Sequence, residues 1–111
     1  MIKKVYYRLS KPEIPAFTTK GLKVIPNVTH VHVATYNGDA PNDQIFEELN
    51  INIKKAFADR VKVTPDLQHT SMSVGDAILE VDGIMEKMVV CDSIGWKELM
   101  KKNDTFGDCW K

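Results

Sequence analysis

From Val28 to Tyr36 the chain reads VTHVHVATY, β-branched residues alternating with polar ones at a period of two. That alternation is the pattern of a strand with one buried face. An earlier run, residues 2–9 (IKKVYYRL), is rich in Ile, Val and Tyr and predicts a first strand. Between the two, Pro12, Pro15, Gly21 and Pro26 interrupt any regular element. A loop that lays Ile14, Phe17 and Leu22 against the core edge is expected there. Asn37-Gly38-Asp39 then marks a turn.

After Pro41 the period changes. Ile45, Leu49, Ile53 and Phe57 recur every four residues, with Phe46 and Ala56 beside them, giving one apolar helical face. Asn42 or Asp43 is placed to cap that helix, and Glu47 and Glu48 lie near the positive end of its dipole. Asn50-Ile51-Asn52 weakens the pattern, so residues 53–63 (IKKAFADRVKV) can instead form a separate short helix and strand.

From residue 76, DAILEV and IMEKMVVCD predict a hairpin about Asp82-Gly83, a pair suited to a type I′ turn. Tight pairing there sets Val81 opposite Ile84 and Ala77 opposite Met88, but Leu79 against Glu86. A bulge or wider loop is the alternative. SIGWKELMKK is expected as a turn and short terminal helix, and NDTFGDCWK as an irregular tail. The sum is a small α+β domain over residues 1–111, an antiparallel sheet with a C-terminal β-hairpin packed on one main helix.

Composition narrows the function classes. Of 111 residues 43% are apolar and 27% charged, ordinary values for one globular domain. Fifteen basic and fifteen acidic side chains cancel, so no global field favours nucleic acid or membrane. Lys97, Lys101 and Lys102 form a local basic group, read as a solvated helix end. The N-terminus lacks an apolar core of signal-peptide length, and no run is long enough to span a bilayer. A cytoplasmic setting with free thiols is therefore expected, Cys91 buried and Cys109 exposed in the tail.

No catalytic constellation is complete. His30 and His32 project from one strand face, as zinc-binding pairs do, but no spacing nominates a third ligand among His69, Asp39, Asp66, Asp76 and Asp92. A metal-dependent enzyme at His30 and His32 is thus the third functional reading. His69-Thr70-Ser71 matches one half of a two-histidine phosphoesterase pattern, yet His30-Val31-His32 and His32-Val33-Ala34 lack the second hydroxyl. Ser71 and Ser73 sit in no Gly-x-Ser-x-Gly elbow, and the six glycines form no phosphate loop. Trp96 and Trp110 are candidate interaction anchors; core packing is the alternative for Trp96, and a disordered tail the alternative to an exposed, partner-facing Trp110.

DQIFEELNI, then HTSMSVGDAILEVDG, then MVVCDSIGWKEL, in that order, resemble the YodL-like domain. Members of that family are small proteins, or small domains in longer ones, carried by phages and integrative elements. The resemblance covers roughly residues 33–99 and leaves residues 1–27 and 103–111 as variable extensions. It implies a mobile-element origin and no established activity, cofactor or catalytic residue.

The shared residues also have a physical reading. Ser71 and Ser73 can cap backbone donors where the chain enters the sheet, Gly75 supplies an unusual φ, and Asp76 can accept backbone hydrogen bonds. Asp92-Ser93-x-Gly95 can close the other end in the same way. Together with His69 these residues form the one candidate polar patch. The leading functional expectation is an accessory protein that binds a host or viral macromolecule without catalysis, with self-association also plausible from exposed strand edges. The alternative is a small-ligand or nucleotide-binding module using His69, Ser71, Ser73, Asp76 and Asp92.

Overall fold

The computed structural model describes residues 1–9, 17–18, 21–38, 40–51, 72–104 and 107–111. Its elements in chain order are β1 (Ile2–Arg8), β2 (Phe17–Thr18), β3 (Gly21–Leu22), β4 (His30–Asn37), α1 (Asn42–Ile51), β5 (Ala77–Asp82), β6 (Met85–Asp92), β7 (Gly95–Leu99), β8 (Lys101–Asp104) and β9 (Gly107–Trp110). Five of these strands form one sheet in the order β4-β1-β5-β6-β7, every neighbouring pair antiparallel. The described residues are thus mostly antiparallel sheet with one short helix. The α+β expectation fits loosely, and a mostly-β description is equally apt. The possible helix and strand at residues 53–63 lie outside the described residues.

Residues 1–27, outside the family resemblance, supply an interior strand of the sheet. β1 carries β4 on one side and β5 on the other. Its ladder to β4 shifts between Val5 and Tyr6, so that Ala34 faces Val5 while His32 faces Tyr6. Val33 is the residue left over, a β-bulge. Through this step Val33, Ala34 and Tyr36 all join the cluster formed by Val5, Tyr7, Ile78 and Val89.

That cluster lies under α1, which contributes Ile45 and Leu49. Lys3 shares the face, pairing with Glu80 at 3.1 Å and donating to Asn42 Oδ1 at 3.0 Å. The ammonium thereby ties β1 and β5 to the start of the helix. On the other face, Tyr6, Leu79, Met88, Val90 and Leu99 pack with Val24 and Trp110. Strands covered on both faces read as continuous apolar runs, and this is why AIL and MVVC show no alternation.

The β5–β6 turn differs by one residue from the sequence expectation. Asp82 pairs with Met85 and Leu79 with Met88, leaving Gly83 and Ile84 as the two central residues. Gly83 has φ +61° and Ile84 does not enter the positive region, as a type II′ turn requires of its first and second positions. The mismatch of Leu79 with Glu86 thereby disappears.

The C-terminal segment corrects the expectation more strongly. Instead of a terminal helix, Gly95–Leu99 pairs with β6, placing Trp96 opposite Cys91 and Leu99 opposite Met88. Ser93 and Ile94 make the turn, and Gly95 at φ +86° occupies the fourth position, where a type I turn favours glycine. Lys101–Asp104 and Gly107–Trp110 pair antiparallel as a hairpin, in place of the expected irregular tail. Its end exchanges both backbone bonds between Trp110 and Val24 at 2.8 Å. Trp110 and Cys109 are consequently buried, not exposed. Lys97, Lys101 and Lys102 lie on two strands rather than at a helix end, and Lys101 pairs with Glu86 at 3.1 Å and Asp108 at 3.4 Å. Among the described residues no helix is long and apolar enough to cross a membrane.

The burial of Trp110 has a direct test. Trp110→Ala should destabilise the protein by about 3–5 kcal/mol in urea unfolding, as expected for a core aromatic. Ile84→Ala, at a side chain 97% exposed, should change stability by no more than about 0.5 kcal/mol.

Candidate functional site: a buried polar corner and an exposed apolar rim

Ser73 to Asp76 form a tight turn in which the Asp76 N–H donates to the Ser73 carbonyl at 3.0 Å. Gly75 stands at φ +96° in the third position, where a type II turn needs positive φ. The Asp76 side chain closes the same turn from inside. Its Oδ2 accepts the Ser73 N–H at 2.9 Å and the Ser73 hydroxyl at 3.3 Å. Its Oδ1 accepts the Arg8 N–H at 2.8 Å. The β1–β5 ladder ends at Tyr6 and Ala77, so this carboxylate supplies the acceptor for a β1 donor beyond the ladder.

Backbone bonds attach the corner to β6. Cys91 donates to the Asp76 carbonyl at 2.8 Å, and Gly75 donates to the Cys91 carbonyl at 2.9 Å. The fourth strand is reached through His30, whose Nε2 lies 2.7 Å from the Gly75 carbonyl. A carbonyl can only accept, so Nε2 carries the proton and Nδ1 accepts from the Thr29 hydroxyl at 2.7 Å. Thr29 Oγ1 in turn accepts the Ile25 N–H at 2.8 Å. Thr29, His30 and Asp76 are all fully buried. Burial lowers the His30 pKa below the ordinary imidazole value, and the nearby Arg8 charge acts in the same direction. These effects outweigh the Gly75 carbonyl and the Asp76 charge, which favour the proton.

The other nominated residues fall in different places. His69 and Ser71 lie outside the described residues. Asp92 and Ser93 are exposed at the same end of the sheet as the Ser73–Asp76 turn, with Asp92 Oδ1 accepting the Ser93 N–H at 2.8 Å. Trp96 is half-buried against α1: its Nε1 donates to Asp43 at 2.8 Å, and its ring meets Phe46 edge-on at 6.4 Å. Trp110 belongs to the core of the opposite face.

His30 and His32 do share a face, since they pair with Arg8 and Tyr6, two positions apart on β1. Both ring nitrogens of His30 are engaged in hydrogen bonds, and His32 Nε2 lies 2.7 Å from Thr35 Oγ1. No group of three metal-ligating side chains is found among the described residues. Thr29 was the missing member of the corner. Its place beside His30 in a β-branched run predicts a strand residue, with no local sign of a partner on Gly75.

Several large apolar side chains stand exposed. Ile84 (97% exposed) and Ile94 (95%) occupy hairpin turns at opposite ends of β6, and Met85 and Met100 are also exposed. β7 stops opposite Met88, leaving residues 85–87 of β6 without a neighbouring strand on that side. The result is an open groove of about 360 Å³ lined by Ile84, Met85, Leu99, Met100, Lys101 and Trp110, among others. No family model, curated protein or solved structure matches this chain.

Two measurements probe the corner. Asp76→Asn turns an amide N–H₂ towards donors that need an acceptor, and should cost at least about 2 kcal/mol in urea unfolding. The His30 effect has a defined sign. The unfolded chain gains a proton on this residue as pH falls below ~6.5, whereas the folded protein takes it up only at lower pH. Stability should therefore fall as pH drops below ~6.5, level off below the folded pKa, and show no His30 contribution above that window. Comparing wild type with His30→Gln from pH 7.5 to 4.5 isolates this loss, which the variant should lack.

Proposed function

We propose that this protein acts without catalysis, as a phage or mobile-element accessory factor that binds a host or viral macromolecule in the bacterial cytoplasm. The observation that carries the proposal is the set of exposed apolar side chains at both ends of β6. Turn tips favour Gly, Pro, Asn, Asp and Ser for conformational reasons, yet isoleucines 84 and 94 stand there almost wholly in water. Ile84 borders the open groove beside Met85 and Met100, and exposed apolar clusters of this kind are commonly contact surfaces.

The polar corner supports the same reading in a different way. Ser73 and Asp76 direct their side chains into main-chain hydrogen bonds, which favours a scaffold role for them. Balanced charge favours a protein over nucleic acid as the partner. The resemblance to the YodL-like domain supports the mobile-element origin. In this reading the β5–β6 hairpin with α1 against it is the shared α+β core, and residues 1–27 add an interior strand between β4 and β5.

Affinity capture from bacterial lysate tests the proposal. Wild-type protein should recover the same macromolecule in repeated preparations, and the doubly substituted Ile84→Asp, Met100→Asp protein should lose it while unfolding at the same urea concentration. Repeated baits that recover nothing specific would sink the proposal.

A further inference from the structure

β7 is an edge of the five-stranded sheet. Antiparallel strands turn successive backbone groups to alternate sides. Cys91 bonds to Asp76 on the β5 side, so Val90 and Met88 face β7 and bond to Lys97 and Leu99. Trp96 and Glu98 therefore turn their N–H and C=O groups outwards. Met100, next in the outward series, exchanges both backbone bonds with Lys111 at 2.9 and 3.0 Å. The outer edge is thus already paired at Met100, just beyond β7, and among the described residues two vacant rungs precede it, at Glu98 and Trp96.

The side chains along these rungs carry opposite charges on opposite faces. Glu98 shares the α1 face with Trp96, whose indole is bonded to the Asp43 carboxylate, while Lys97 points to the other face. Lys97 and Glu98 are exposed and form no ion pair among the described residues. A second copy fits this edge poorly. Two copies related by a two-fold axis fill both rungs only with Trp96 opposite Glu98, and that register sets Lys97 directly against Lys97. Like charges directly opposite destabilise a strand pair.

We infer that the β7 edge is a strand-addition site for an extended segment of a partner protein, running antiparallel to β7, with a basic residue opposite Glu98 and an acidic residue opposite Lys97. Main-chain bonds to Trp96 and Glu98 hold the segment, and the two charges set its register. The inference rests on the reading of this chain as a binding protein and names the class of partner.

Two capped synthetic peptides that start at the Glu98 rung, and so stop short of Lys111, test it, Arg-Asp-Val-Thr and the charge-exchanged Asp-Arg-Val-Thr, with amide hydrogen exchange as the readout. The first should slow exchange at the Trp96 and Glu98 amides by about tenfold when present at about ten times its Kd. The second should protect them far less, and Lys97→Glu with Glu98→Lys should invert that preference. Glu98→Pro removes an outward N–H without touching the β6 ladder, and should abolish protection by either peptide. No protection at these amides, or equal protection by the two peptides, overturns the inference. Protection in the free protein that grows with its concentration assigns the edge to a second copy and also overturns it. Capture of the lysate partner by Glu98→Pro at the wild-type level overturns the edge site while leaving the binding function intact.

Discussion

The carboxylate of Asp76 is the group on which the rest of the sheet depends. It is fully buried, yet it accepts from β1 at Arg8 and from its own turn at Ser73, while its backbone carbonyl accepts from β6 at Cys91. His30 adds β4 through the neighbouring Gly75 carbonyl. Four strands thus converge on two consecutive residues. A buried network of this kind is sensitive to single deletions, because removing one acceptor strands several donors at once. It also fixes register: a one-residue slip of any strand would carry its donor away from the corner and its apolar side chains to the wrong face.

Register matters here on both faces, because neither is left to water. α1 covers one with Ile45 and Leu49, and the C-terminal hairpin with Val24 covers the other. A sheet covered in this way needs apolar residues at consecutive positions, and Ala77–Leu79 and Met88–Cys91 provide them. Lys3 is the exception that the architecture accommodates, its charge held by Glu80 and Asn42. Truncating either partner would leave that ammonium buried and under-bonded.

Local pattern made β1, β4, the start of α1 and the β5–β6 hairpin legible in the sequence, because each depends on near neighbours. Gly75 and Asp76 were similarly readable as a turn glycine and a backbone acceptor. The hairpin turn slipped by one residue because Asp82-Gly83 and Gly83-Ile84 both offer a glycine; only the pairing of Leu79 with Met88 decides between them. β7 was hidden because Lys97, Glu98, Leu99 and Met100 are strong helix formers, and pairing with β6 overrides that preference. Trp110 sits among polar residues, and its burial depends on Val24, 86 positions earlier in the chain. The part of the corner that came from Thr29 and His30 was invisible for the same reason, since Gly75 lies 45 positions after His30.

The bond between Val24 and Trp110 also governs when this protein can become itself. Until residue 110 arrives, one side of the sheet exposes Leu79, Met88 and Val90 to water. β1 must likewise wait for β5, which is about seventy-five residues later in the chain. The cluster on the α1 side needs nothing beyond Trp96, so the two faces of the sheet can close at different points of synthesis. A chain in which residue 110 has not yet emerged carries that apolar face uncovered, and is prone to associate through it.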